Sequence, residues 1–218
     1  MNAKIISVFR EVVLYIPPAF RSDDPALAWQ LVEDIRFGCL ITAGGGLMAS
    51  HLPFMVEGRE PVRLIGHLAR ANAQWRELDA APVLVNFLGP NTYISPSWYT
   101  TGPRAPTWNY VAVQIRGRAS VTEDRETLRR MVLDLSALME PEGSGWDAAQ
   151  LDSAYVDKLL PGIVGFTIDV EQIDVQLRLS QQNKADDQKR VRAALAAGSL
   201  REQQVAETMA RYLDRSAT

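Results

Sequence analysis

Cysteine and histidine are nearly missing from this sequence: Cys39 stands alone, and His51 and His67 are the only imidazoles in 218 residues. A single thiol cannot close an intrachain disulfide, and two histidines without clustered carboxylates make a poor ligand set for a metal. Cys39, in an apolar run, reads as a small core residue. Charge of one sign is missing too. The formal net charge of -3 gives the whole molecule no pull toward nucleic acid or an acidic membrane surface. No uninterrupted apolar run is long enough to span a bilayer, and Arg10 and Glu11 break the mildly apolar start without a cleavage site behind it. The expected location is cytoplasmic, with no membrane partner. There is no phosphate-binding Walker pattern, and AGGGL (43–47) is a hairpin turn rather than a dinucleotide fingerprint. Ser50, Ser95 and Ser97 sit in no nucleophile elbow, which weakens a hydrolase reading.

What is present is an ordinary core-forming composition, 47% apolar and 22% charged. Asp24 before Pro25 signals a helix start, and Leu27, Leu31, Val32 and Ile35 continue at helical spacing until Gly38. Short strand patterns follow at 39–43, 47–56, 62–68 and 83–88, with a turn at 57–60 and a small helix at 72–80. A Gly-Pro turn is expected at 89–90, a loop at 98–107 and a long strand at 108–121. Helices are expected at 124–139 and ending near Leu160, then two strands within 162–180. From Asp186 the pattern is helical, broken at Gly198. Links this short exclude a parallel sheet. The expectation is a mainly β protein: an antiparallel β-barrel with peripheral helices.

The stretch LIGHLARANAQW (64–75) ends a strand on Gly66 and His67 and turns into a helix start. Backbone N–H groups at such a corner favour an anion, with Arg70 or Arg76 adding charge and Gly66 allowing close approach. Trp75, Tyr93, Trp98, Tyr99, Trp108 and Tyr110 cluster nearby, a composition suited to a planar heterocycle, although most such rings pack core or interface.

YIPPAF (15–20), SHLPF (50–54), GHLARANAQW (66–75), GPNTYISPSWY (89–99), PTWNY (106–110), GIVGF (162–166) and LSQQNK (179–184) resemble, in order and spacing, the PaiB family of bacterial proteins. The resemblance implies an FMN-binding split β-barrel, related to pyridoxamine phosphate oxidase and flavin reductases, forming a homodimer with flavin at the interface. It implies that Ser50 and His51 line the flavin site from one strand. Gly66, His67, Asn72 and Gln74 would approach the phosphate and ribityl chain. Trp108 and Asn109, with the segment from Gln181 to Lys184, would come from around the dimer interface. Where flavin-oxidase relatives carry Arg, Lys and Ser-x-Lys, this chain has Ser50/His51 and Ala71/Asn72/Gln74, with less charge.

The resemblance divides the chain into an extension (1–14), a split-barrel domain (15–184) and a helical tail (185–218), with translation starting near Val13 or Leu14. Members are described as negative transcriptional regulators, which makes DNA a possible partner, although no recognition helix on a basic stripe is visible. Two other readings stay open: a flavin-dependent oxidoreductase acting on a small molecule, and a haem-binding barrel with His51 or His67 as axial ligand.

Overall fold

The structure, a computed structural model, describes residues 14–58 and 62–213. The expected extension, apart from Leu14, and the translation start at Val13 lie outside the described residues, as does part of the turn at 57–60.

The elements run β1 (Arg21–Ser22), α1 (Pro25–Ile35), β2 (Phe37–Thr42), β3 (Met48–Pro53), β4 (Met55–Glu57), β5 (Arg63–Ala69), β6 (Pro82–Ile94), β7 (Thr107–Thr122), α2 (Arg125–Met139), α3 (Ser153–Leu159), β8 (Ile163–Arg178), α4 (Ala185–Ala196) and α5 (Leu200–Leu213). Asp24 caps α1 by accepting from the Ala26 amide, with Pro25 in the first turn. One antiparallel sheet runs β3-β2-β6-β7-β8-β5-β4, with β1 on the side of β8. Only Phe54 separates β3 from β4, so the chain itself joins the two ends of that path, and β3 also lies against β5. The sheet closes into a barrel, which leaves few open edges.

Period-two alternation fills the interior. Val83, Val85 and Phe87 of β6, Val111, Val113 and Ile115 of β7, and Val164, Phe166 and Ile168 of β8 are buried. Each such side chain contributes about 1.5–3 kcal/mol when fully buried. α1 supplies Ala28, Leu31 and Val32 to the same core, and the tail helices supply Val191, Leu195, Val205 and Met209. The tail is therefore part of the barrel's hydrophobic core.

Three sequence expectations change. Gly89 and Pro90 do not end a strand: β6 continues to Ile94, and the pairing with β7 shifts register between Leu88 and Asn91. A bulge tolerates a proline, which lacks the N–H of a regular ladder. The two strands expected within 162–180 are one, β8, whose pairing with β7 shifts register between Arg116 and Gly117. The small helix at 72–80 is a single 3-10 turn, Ala73–Glu77.

Candidate functional site

The 3-10 turn after β5 reaches across the end of the barrel to β2 and β3. Asn72 caps the turn, its side-chain oxygen accepting from the Gln74 amide at 3.0 Å, while its Nδ2 donates to Ser50 Oγ at 2.8 Å. Gln74 is fully buried, and its Nε2 donates to the carbonyls of Leu40 (3.1 Å) and Met48 (3.3 Å). Gln74 Oε1 has no partner among the described residues. Asn72 thus joins Ser50 to the turn that carries Gln74, and Gln74 keeps a buried acceptor without a partner among the described residues.

The backbone at this corner is less open than its sequence suggests. The amides of Arg70 and Asn72 donate to the carbonyls of Gly162 and Ala69, and the Gln74 amide is capped. Gly66 has a packing reason: a Cβ there would lie 2.7 Å from Phe166 Cζ and 3.1 Å from Leu52 Cδ1. Arg70 turns away from the corner. Its Nη1 meets Glu123 at 2.5 Å, and its Nε and Nη2 donate to the Pro161 and Ile163 carbonyls. At this corner Arg76 has no carboxylate partner among the described residues and is laid over the Trp75 ring at 4.9 Å, while Trp75 Nε1 donates to the Arg70 carbonyl. Of the two arginines read as candidates for that charge, Arg70 is engaged elsewhere and Arg76 is the one with no ion pair among the described residues. Arg70→Met is expected to leave FMN affinity within about twofold of wild type, as suits a residue whose hydrogen bonds are all internal; a fluorescence titration checks it.

The two histidines part company. Alternation along β5 sends Leu64, Gly66 and Leu68 inward and His67 outward, paired with Gly165, over which Leu128 and Met131 of α2 pack. Burial lowers the His67 pKa, so its imidazole is neutral near pH 7. His51 is exposed on the outer face of β3, its ring 6.2 Å from that of Phe37 and nearly parallel to it. Cys39 lies opposite His51 and also opposite Asn86, on that same outer face rather than in the core. The row continues across Gln114 to Asp174, which accepts from Arg116 Nη1 at 2.5 Å. Among the described residues no group of three metal-ligating side chains exists.

Trp108 is also outward, 44% exposed, its Nε1 3.3 Å from Asn91 Oδ1 and its ring edge-on to Tyr93. Asn109 points the other way. It is buried, exchanges hydrogen bonds with Ser180 Oγ and touches Met209 of α5. Gln181 ties the Leu179 amide to the Ala19 carbonyl, and Lys184 is exposed at the start of α4. Asn109 through Met209, and the Gln181 carbonyl through Gln188 Nε2, fasten the tail to the barrel. Sequence reasoning missed Asp187, fully buried and bound by Thr100 and Thr101; it looked like one of two ordinary first-turn acids in α4.

The larger cavities lie elsewhere. One of about 560 Å³ separates α1, the β6 bulge and α5, and one of about 480 Å³ lies between residues 19–30, the end of β8 and α5. Neither is lined by Ser50, His51 or Asn72.

A closed antiparallel barrel with peripheral helices is the architecture of the flavin-binding split-barrel proteins, and two solved structures bear out the fold. The FAD and haem binding protein from Mycobacterium smegmatis aligns with a TM-score of 0.58 at 16% identity, over 82% of this chain and 80% of that one. The flavocytochrome Anf3 from Azotobacter vinelandii aligns with a TM-score of 0.57 at 14% identity, over 73% and 69%. Residues 14–172 match the model of the family described as "Putative FMN-binding domain". The protease synthase and sporulation protein PAI 2 of Bacillus subtilis is 36% identical over 80% of this chain and 85% of its own length. The chain belongs to this FMN-binding family and is PaiB-like within it.

Proposed function

We propose that this PaiB-like protein works as a pair of copies, with FMN between the Ser50–Asn72 corner of one and the outer sheet face of the other, and that flavin occupancy serves a regulatory role. The observation that carries this reading is the outer face itself. Phe37, Leu88, Tyr93 and Trp108 are large apolar side chains left exposed on neighbouring strands β2, β6 and β7, more than a monomer ordinarily shows in one place. They flank the polar row from His51 to Asp174, so a second copy would bury rings and meet hydrogen-bonding groups at once.

The donor set suits FMN. The Ser50 hydroxyl accepts from Asn72 and keeps its own proton to donate to a phosphate or ribityl oxygen. His51 has no hydrogen-bond partner among the described residues, and Arg76 offers the charge. Asn72, pinned by its cap, holds Ser50 in one orientation. When bound, FMN supplies the redox chemistry of its isoalloxazine ring. The chain's residues bind it, orient it and screen it from water. The flavin domain spans 15–184, with the tail helices α4 and α5 bracing its floor.

The regulatory role rests on the Bacillus subtilis relative, whose name concerns protease synthesis and sporulation. Direct DNA contact would fall to the α4–α5 pair, joined through Gly198 and Ser199. The exposed positions of α5 include Arg201, Glu207 and Arg211, a mixture of signs without the basic stripe that phosphate contacts need. Gel shifts at moderate salt are expected to show no direct binding.

An absorbance spectrum of the purified chain with and without FMN tests the flavin reading, and light scattering tests the pair. Ser50→Ala is expected to weaken FMN about tenfold, the worth of one hydrogen bond to a charged group, with a small drop in the unfolding midpoint from the Asn72 donor left unpaired. A chain that stays colourless with FMN overturns the reading. A Soret band on haem addition that is lost in His51→Ala would assign haem instead.

A further inference from the structure

Three and four inter-strand steps from β3, the ends of β7 and β8 meet the segment 99–107 around a cleft of about 180 Å³. Arg104, Thr107, Arg178 and Asn183 line it beside Tyr99. Each arginine is laid over an aromatic ring, Arg104 over Tyr99 at 5.6 Å and Arg178 over Phe20 at 5.0 Å, which fixes the two guanidinium planes.

No carboxylate lines this cleft. Arg178 has no ion-pair partner among the described residues. Its Nη2 donates to Thr107 Oγ1 at 2.7 Å, and its Nε, shielded from solvent, donates to nothing. Arg104 donates to the carbonyl and hydroxyl of Thr101. Its charge partner, Asp187, lies 3.9 Å away and already accepts three hydrogen bonds from Thr100 and Thr101. The cleft is therefore net positive and is lined by an arginine with a buried N–H that has no acceptor, an arrangement that a folded protein ordinarily avoids.

We propose that this cleft binds a small oxyanion, the phosphate or carboxylate group of a free anion or a short organic acid, held by Arg178 and Arg104. Guanidinium groups match the geometry of such oxygens and keep their charge at any working pH. The volume decides the size class: sites for drug-sized ligands run from roughly 300 Å³ upward, so this cleft admits an anionic group with a few attached atoms and not a flavin. The proposal does not rest on where FMN lies.

The test uses the full chain, with thermal unfolding and calorimetric titration in phosphate, succinate and chloride at matched ionic strength. Phosphate or succinate is expected to raise the unfolding midpoint above that in chloride. A larger response to phosphate assigns a phosphate group, and a larger response to succinate assigns an organic carboxylate. Arg178→Gln and Arg104→Gln should each weaken the anion about tenfold, as the loss of a charge-assisted hydrogen bond does, with FMN titrations unchanged. Should Arg178→Gln fail to fold, Arg104→Gln carries the test, since its side chain is partly exposed and lies off the strands. Equal midpoints in all three salts would overturn the proposal. So would an undiminished anion response in Arg104→Gln, or a loss of FMN affinity in step with the anion's.

Discussion

Gly117→Ala is expected to leave little folded protein. A Cβ at this position would stand 2.2 Å from the Asp169 carbonyl oxygen and 2.8 Å from Ile168 Cγ2. The first of these is backbone on the paired strand, so no rotamer change relieves the clash. The site is also the bulge at which the β7–β8 register shifts, and those are the two longest strands of the barrel. Moving Asp169 would disturb the ladder on both sides and the Asp169–Arg63 pair on β5. Overpacking usually costs about 1–3 kcal/mol, and a backbone clash in a central ladder belongs at or above the top of that range. Urea unfolding followed by circular dichroism checks this, with Gly162→Ala as a control expected to be nearly neutral, because nothing lies within 4 Å of a Cβ there.

Asp187→Ala is the second large effect, and it carries a pH signature. The Asp187 carboxylate is buried at the start of α4 and binds the segment before the anion cleft. The Thr101 hydroxyl beside it does most to lower its pKa, followed by the Thr100 amide, the Thr100 hydroxyl and the charge of Arg104; together they hold the carboxyl at about 2. The ordinary value is 3.8, so the folded state favours the ionised form. The stabilisation is complete above the unfolded value and lost as pH falls from near 3.8 through about 2. At pH 7, Asp187→Ala should therefore unfold at clearly lower urea than wild type, because it strands two hydroxyls and an amide. Asp187→Asn should show a deficit that shrinks between pH 4 and pH 2. A deficit independent of pH over that window would mean that the carboxylate's charge is not what matters.

How far the sequence foretold this molecule depends on the range of the interaction. The Asp24–Pro25 helix start and the alternation of β7 rest on neighbours in sequence, and both were legible. Gly89-Pro90 reads as a turn because the dipeptide favours one, yet the ladder with β7 resumes at Asn91 and tertiary pairing overrides it. β8 was split in sequence because an extra residue, Glu171, interrupts the alternation between Val170 and Gln172, as a bulge does. The Asn72 cap was legible, since a cap is a local signal. The packing contacts of Gly66 and the ion pair of Arg70 were not. Phe166, a hundred positions from Gly66, and Glu123, 53 positions from Arg70, set them. Cys39 was expected in the core because its run is apolar, but in a strand every second residue faces outward.

The closure of the barrel also fixes an order of events during synthesis. β5 has its long partner in β8, and the Arg63–Asp169 pair joins residues 106 positions apart. A ribosome adds about 5–20 residues each second, so β5 emerges several seconds or more before β8 exists to cover it. Through that interval its edge and the apolar side chains Leu64, Ile65 and Leu68 stand open on the nascent chain. Folding of this chain is thus gated by its last strand, and chaperone capture, where it occurs, should fall between the appearance of residue 69 and that of residue 163.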